Sequence, residues 1–225
     1  MCGIAGILDI KGQRQIDRDA LTRMTDALAH RGPDGEGFFI EDGIGLGHRR
    51  LAIIDLAGGK QPFATHSGNT VLSFNGEIYN YADLRQALGQ RSISLRTQSD
   101  TEALAELWEM DGSGALSQLL GMFAFAAWNR QTRTLTLVRD RLGEKPLYYA
   151  ATGDGFLLFA SELPALIASG LLTPEISATA VKDYFAYGYV PDPSTIYSGV
   201  HKLPPATSLT VSVPADSLPA PASYW

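Results

Sequence analysis

Cysteine is almost absent from this chain: there is one among 225 residues, and it is Cys2. That scarcity excludes an internal disulfide framework and a zinc site built from several thiolates. Uninterrupted apolar sequence is lacking as well, since no run approaches the ~18 residues of a membrane-spanning helix. The start has no basic segment ahead of an apolar one, and Asp9 ends its short apolar stretch, so it does not read as a signal peptide. Lys and Arg form no cluster. With 18 of them against 24 Asp and Glu, the net charge is -6 and the pI about 5.2, which disfavours a phosphate-backbone partner. The four histidines, His30, His48, His66 and His201, lack metal-ligand spacing, and no Gly-x-x-x-x-Gly-Lys-Ser/Thr phosphate loop is present. What remains is an ordinary globular composition, 45% hydrophobic and 19% charged, sufficient for one substantial core. These exclusions predict a cytoplasmic protein with no nucleic-acid and no membrane partner.

Nine of the 12 prolines lie at or beyond Pro164, whereas most glycines precede it. This shift predicts a compact core over residues 2–162 within a domain of 2–212, the later part more extended, and a Pro/Ala/Ser-rich linker over 213–225. Strands are expected at Ile4–Ile10, Gly43–His48, Leu51–Ile54 and Thr70–Phe74. Further strands are expected at Met122–Trp128, Thr134–Val138, Leu147–Ala150 and Phe156–Ala160. Leu21, Met24 and Leu28 fall on one face of a helix over Asp17–Ala29. Asn80 is placed to cap a helix starting at Tyr81, and Ser99-Asp100-Thr101-Glu102 has the form of a capping box. Met122 to Trp128 is apolar at every position, as in a strand covered on both faces. Strand and helix do not alternate regularly, so the fold class is α+β rather than a doubly wound parallel sheet.

The position of the lone cysteine carries chemistry. If Met1 is trimmed, Cys2 offers a thiol and a free α-amine on one residue. A thiol with a reference pKa near ~8.5 needs a base at neutral pH, and an α-amine near ~7.7–8.0 can serve. The functional reading is an N-terminal nucleophile hydrolase; the competing reading is a small buried hydrophobe. An amide hydrolase also needs donors for the oxyanion formed on attack. Asn75-Gly76, after a strand, can supply a side-chain amide and a backbone N–H. Asn-Gly is equally a type I′ hairpin signal, but the sequence beyond it reads as helix. An amino-acid substrate would need its zwitterionic end matched. Arg49 or Arg50 suits the α-carboxylate, and Glu77 and Asp100 suit the α-ammonium. His48 reads as a packed structural residue.

Together these stretches resemble the glutaminase domain of class II glutamine amidotransferases, in the pattern of glutamine-hydrolysing asparagine synthetases. The resemblance rests on Met-Cys-Gly-Ile-Ala-Gly at 1–6, Arg-Gly-Pro-Asp-Gly at 31–35, Gly-His-Arg-Arg-Leu-Ala-Ile-Ile-Asp at 47–55 and Gln61-Pro62. It continues through Asn-Gly-Glu-Ile-Tyr-Asn at 75–80, Ser-Asp-Thr-Glu at 99–102, Gly-Met-Phe-Ala-Phe-Ala at 121–126 and Arg-Asp-Arg-Leu-Gly-Glu-Lys-Pro-Leu-Tyr-Tyr at 139–149. Gly-Tyr-Val-Pro-Asp-Pro at 188–193 and Lys-Leu-Pro-Pro at 202–205 are similar to the approach to that family's second domain. It implies a four-layer α/β/β/α sandwich of the N-terminal nucleophile hydrolase type. It implies Cys2 as nucleophile with its own amine as base, and Asn75 and Gly76 as oxyanion hole. Arg50 would hold the substrate carboxylate, the backbone of Leu51, Ala52, Ile53 and Ile54 would line that side, and Glu77 and Asp100 would bind the ammonium. The implied reaction is L-glutamine to L-glutamate and ammonia, with no metal or organic cofactor. ATP and Mg belong to a synthetase domain whose Ser-Gly-Gly-x-Asp-Ser loop does not occur here, so a synthetase domain or partner chain would be the ammonia acceptor. Two rivals are a glutaminase domain serving a non-aspartate acceptor in polysaccharide or cell-envelope modification, and a non-catalytic glutamine-binding docking module. Tyr184, Phe185, Tyr187 and Tyr189, if exposed, would favour self-association into a homo-oligomer.

Overall fold

A computed structural model describes every residue except Ile54, Leu56 and Ala57. The chain opens with β1 (Gly3–Asp9), α1 (Arg18–Asp26), β2 (Gly35–Glu41) and β3 (Ile44–Arg50). Next come β4 (Phe63–Ala64), β5 (Thr70–Ile78), α2 (Tyr81–Gln90), α3 (Asp100–Asp111) and a 3-10 helix over Gly112–Gln118. Four strands follow: β6 (Gly121–Asn129), β7 (Thr134–Arg139), β8 (Tyr148–Ala151) and β9 (Phe156–Ala160). The last elements are α4 (Leu163–Ala168), α5 (Ala178–Tyr187), β10 (Val200–Lys202), β11 (Thr207–Ser212) and β12 (Ala222–Ser223).

The strands form two antiparallel six-stranded sheets, in the orders β10-β8-β9-β1-β3-β2 and β12-β11-β7-β6-β5-β4. Side chains on a strand alternate between faces, and that alternation builds the layers. Ile4 and Leu8 of β1 point into the space between the sheets, with Ile44, Leu46, Ala124, Ala126, Trp128 and Leu137. Ala5 and Ile7 point the other way, onto Leu21, Met24 and Leu28 of the α1 region and Leu166 of α4. On the second sheet Phe123, Phe125 and Ala127 face Leu84 and Leu88 of α2 and Leu104 and Leu107 of α3. The result is the α+β four-layer α/β/β/α sandwich, and β6 is apolar throughout because both of its faces are covered.

Local signals were honoured unevenly. Asp17 caps α1 by accepting from Asp19 N at 2.9 Å. Ser99 caps α3 by accepting from Glu102 N at 3.2 Å, but only half of the capping box forms. The Glu102 carboxylate turns to the N–H groups of Arg96 (2.9 Å) and Thr97 (2.6 Å) instead. Asn80 makes no side-chain cap of α2. Its amide bridges Gln118 O (2.9 Å) and Leu120 N (3.0 Å), satisfying the backbone of the segment before β6. Asn75-Gly76 is not a hairpin turn: β5 runs through it, pairing Asn75 with Ala124 and Gly76 with Phe123. Leu51–Ile53, expected as strand, carries no regular structure, and Ile54 lies outside the described residues.

The region beyond residue 162 is more integrated than its prolines suggest. β10 extends the first sheet beside β8, and β11 and β12 extend the second beyond β7. Pro164 sits in the first turn of α4, and Pro204, Pro205, Pro214, Pro219 and Pro221 sit in the connections between β10, β11 and β12, where a missing N–H costs no ladder bond. The expected linker 213–225 is likewise laid on the body: Val213 is buried in the inter-sheet core, with Ala215 and Leu218 packed against it. Tyr224 packs on the second sheet's helical side and donates to Arg139 O at 2.7 Å. By contrast, Tyr184, Phe185, Tyr187 and Tyr189 stand 54%, 83%, 65% and 61% exposed. Among the described residues no helix is long and apolar enough to cross a membrane.

Candidate functional site

Cys2 stands immediately before β1, a strand central in its sheet between β9 and β3. The pairing Gly3–Arg49 brings the thiol to the chain leaving β3, where Leu51 N donates to Sγ at 3.4 Å and Sγ approaches Leu51 O at 3.7 Å. The carbonyl of Cys2 is held by Arg31 Nε at 2.9 Å, and Arg31 in turn pairs with Glu162 at 2.7 Å. Burial raises the thiol pKa; the Leu51 N–H, the chain's terminal ammonium and Arg50 work against that rise, and Asp100 adds to it.

The pocket that contains the thiol is lined by Arg50, Leu51, Ile53, Asn75, Gly76, Glu77 and Asp100. The arginine pair is separated by strand alternation. Arg49 turns outward to the Thr25 carbonyl and the carboxylates of Asp26 and Glu36, while Arg50 enters the pocket and donates to Asp55 O at 2.6 Å. Asn75 is buried, and among the described residues its amide nitrogen has no hydrogen-bond partner. Gly76 is required by the close passage of β6: a Cβ there would lie 2.3 Å from Met122 O and 2.7 Å from Phe123 Cα. Glu77 is exposed at the pocket mouth. Asp100, at the start of α3, accepts from Ile78 N at 3.2 Å. Burial raises its pKa, partly offset by the N–H groups of Ile78 and Thr101, with Glu77 repelling it.

Ala52 is the exception among the described candidates. It does not line the pocket; its N–H donates to Asp34 at 2.8 Å, tying the segment after β3 to the Arg31-to-Gly35 turn. The pocket also contains residues to which the sequence reading gave no role: Gln61, Phe74, Ser99, Thr101, Met122 and Lys145. Gln61 is a brace, accepting from Phe74 N at 2.6 Å and donating to Thr101 Oγ1 at 3.3 Å. All but Phe74 lie in the motifs that carry the resemblance, and Phe74 stands at the end of the strand expected just before one of them. His48 is fully packed between the sheets, against Ser73 Oγ at 3.2 Å, and burial lowers its pKa to about 3, so it is neutral at physiological pH. Among the described residues no group of three or more His, Cys, Asp or Glu could hold a metal ion.

A thiol, a carboxamide whose nitrogen has no partner among the described residues, a guanidinium and two carboxylates in one cleft can receive an amino acid and attack its amide. The family model for the glutamine amidotransferase domain matches residues 1–225. The chain belongs to that family. Asparagine synthetase [glutamine-hydrolyzing] 3 of Bacillus subtilis is 39% identical over 215 residues, covering 94% of this chain and 35% of the relative. Asparagine synthetase B [glutamine-hydrolyzing] of Escherichia coli is 38% identical over 167 residues, covering 74% of this chain and 30% of the relative. The chain therefore spans about a third of the length of these relatives. The solved structure of the glutamine phosphoribosylpyrophosphate amidotransferase from B. subtilis superposes with a TM-score of 0.72 at 22% identity, over 100% of this chain and 49% of that one. At that identity the likeness is one of fold.

Proposed function

We propose that this domain hydrolyses L-glutamine to L-glutamate and ammonia through a γ-glutamyl thioester on Cys2, once Met1 has been removed. The observation that carries the reading is the buried Asn75 amide nitrogen, left without a partner among the described residues and lining the same pocket as the only thiol of the chain. An orphaned buried donor is costly, and an oxyanion that exists only during reaction accounts for it.

The freed α-amine of Cys2 takes the thiol proton, and the thiolate attacks the side-chain carbonyl carbon of glutamine. The carbonyl π pair moves to oxygen, where Asn75 Nδ2 and the Gly76 N–H stabilise it. Collapse expels ammonia, protonated by the same α-ammonium, and leaves the thioester. Water, deprotonated by the amine, then displaces the thiolate and releases glutamate. Arg50 holds the α-carboxylate, with Leu51 and Ile53 beside it, and Asp100 and Glu77 hold the α-ammonium. These steps use no metal and no organic cofactor.

The wider assignment extends this reading. The ammonia would serve a synthetase portion of the kind the relatives' names describe; in this reading that portion uses ATP and Mg, in the cytoplasm, with aspartate as acceptor. Glutamate release by the purified chain tests the core of the proposal, with intact mass establishing loss of Met1 and Cys2→Ala as control. Turnover absent in the Cys2→Ala protein and present in the processed parent is expected. Glutamine binding with no release above the control would overturn it in favour of a docking module.

A further inference from the structure

Among the described residues, the steps above leave one charged pocket residue unused. Lys145 is only 5% exposed and lines the cleft with Cys2. Lysine is among the side chains least often buried, because its ammonium loses hydration there. Among the described residues its ammonium's partner is the thioether of Met1, at 3.1 Å, a weak acceptor. That partner departs with Met1, so processing takes from the ammonium its contact at the start of the chain, in the cleft it shares with Cys2.

The surrounding loop is built to hold the lysine in this place. Asp140 accepts from the N–H groups of Phe123 (3.2 Å), Leu142 (3.1 Å), Glu144 (2.9 Å) and Lys145 itself (2.9 Å). Arg139 donates to the carbonyls of Gly143 (2.8 Å), Lys145 (2.9 Å) and Leu203 (2.7 Å) and pairs with Asp192 at 2.9 Å. Lys202 pairs with the same Asp192 at 2.9 Å. This network fixes both ends of the turn that carries Lys145, which a solvated surface lysine would not need.

We propose that Lys145 is a positioning residue for the general base: its ammonium, set beside the terminus created by loss of Met1, holds the Cys2 α-amine neutral and favours the thiolate. The inference rests on the glutaminase reading and deepens it. Charges converge on this terminus from every side. Arg31 holds the Cys2 carbonyl and is neutralised by Glu162. Arg50 comes from β3, Glu77 from β5 and Asp100 from α3. Without substrate the two carboxylates draw the amine toward its charged, non-basic form. A fixed cation opposes them, since like charges disfavour a second ammonium. Once glutamine binds, its own ammonium occupies the carboxylates and the amine remains free to accept the thiol proton.

The test compares the processed parent with Lys145→Gln, Lys145→Met and Lys145→Arg, from about pH 5 to about pH 9. Two rates are measured: kcat/KM for glutamine, and alkylation of Cys2 by iodoacetamide, which is single-site because the chain has one cysteine. In Lys145→Gln the acid limb of both profiles should move up by about one pH unit or more, while Lys145→Arg keeps the parental limb. Lys145→Met, which retains an apolar stem, gives the same reading should the glutamine variant not fold. Acid limbs that coincide in all folded variants, with rates merely lowered at every pH, would overturn the proposal and make Lys145 a packing residue. If the parent releases no glutamate, the glutaminase reading fails, yet the alkylation limb still decides the role of Lys145.

Discussion

Replacing Asn75 by alanine separates a catalytic asparagine from a structural one by the sign of the stability change. Its amide nitrogen is buried in the pocket of the thiol with no partner among the described residues. A buried unsatisfied donor costs ~1–3 kcal/mol in the resting protein. Deleting it removes that cost and loses the packing of a short side chain at the wall of an open pocket, a loss of about the same size. Stability should therefore stay within about 1 kcal/mol of the parent, or rise. Catalysis behaves oppositely, because loss of one oxyanion donor lowers turnover ~10²–10³-fold, or ~2.7–4 kcal/mol of transition-state stabilisation. KM should change little, since the oxyanion is absent from bound glutamine. The measurements are urea unfolding midpoints at constant m-value and steady-state glutamate release. Asn75→Ala protein destabilised by more than ~2 kcal/mol, with activity falling only as the folded fraction falls, would refute the reasoning.

Asp100→Asn should raise KM for glutamine ~10–100-fold with turnover changed far less, as a charge-assisted contact to a non-reacting ammonium is lost. Because burial raises the Asp100 pKa, KM in the parent should begin to climb at a higher pH than an ordinary aspartate would dictate, as acidification protonates the carboxylate; a KM independent of pH above 4 (about the reference carboxylate value) would remove Asp100 from the pocket. Asp9, buried within β1, works against its own burial by accepting from Arg14 Nη2 (2.6 Å), Gln13 N (2.8 Å) and Arg14 N (2.8 Å), which bring its pKa from 3.8 down to about 2. A carboxylate depressed in the folded state contributes stability above its unfolded pKa and loses it on acidification, so about 2 kcal/mol should disappear between roughly pH 4 and pH 2, and Asp9→Asn should abolish that pH dependence in urea titrations. Ending the chain at Val213 should cost about 2–4 kcal/mol, since Ala215, Leu218 and Tyr224 lose their packing; an unchanged urea midpoint would return this segment to the status of a linker.

What the sequence could and could not reveal follows from how far apart the deciding contacts lie. β9 was legible to the residue because Phe156–Ala160 is a short apolar run bounded by glycine and serine, a signal contained within itself. Ser99 was legible as a cap because its partner is three residues away. Asn75-Gly76 was ambiguous because its local chemistry says turn, while the long pairing with Phe123 and Ala124 of β6 holds it extended and overrides that preference. β10 and β11 went unread for a related reason: their proline-rich flanks suggest open chain, yet the ladder of each is supplied by β8 or β7, far back in sequence. Lys145 is the extreme case. Nothing local marks a lysine for burial, and only the closure of Asp140 and Arg139 around one turn, tied to Asp192 and Leu203 more than fifty residues later, turns it into the pocket. The thiol and the proposed substrate-binding groups were readable because they reside in short motifs. The charge that would set their protonation could be found only once the chain had folded back on itself.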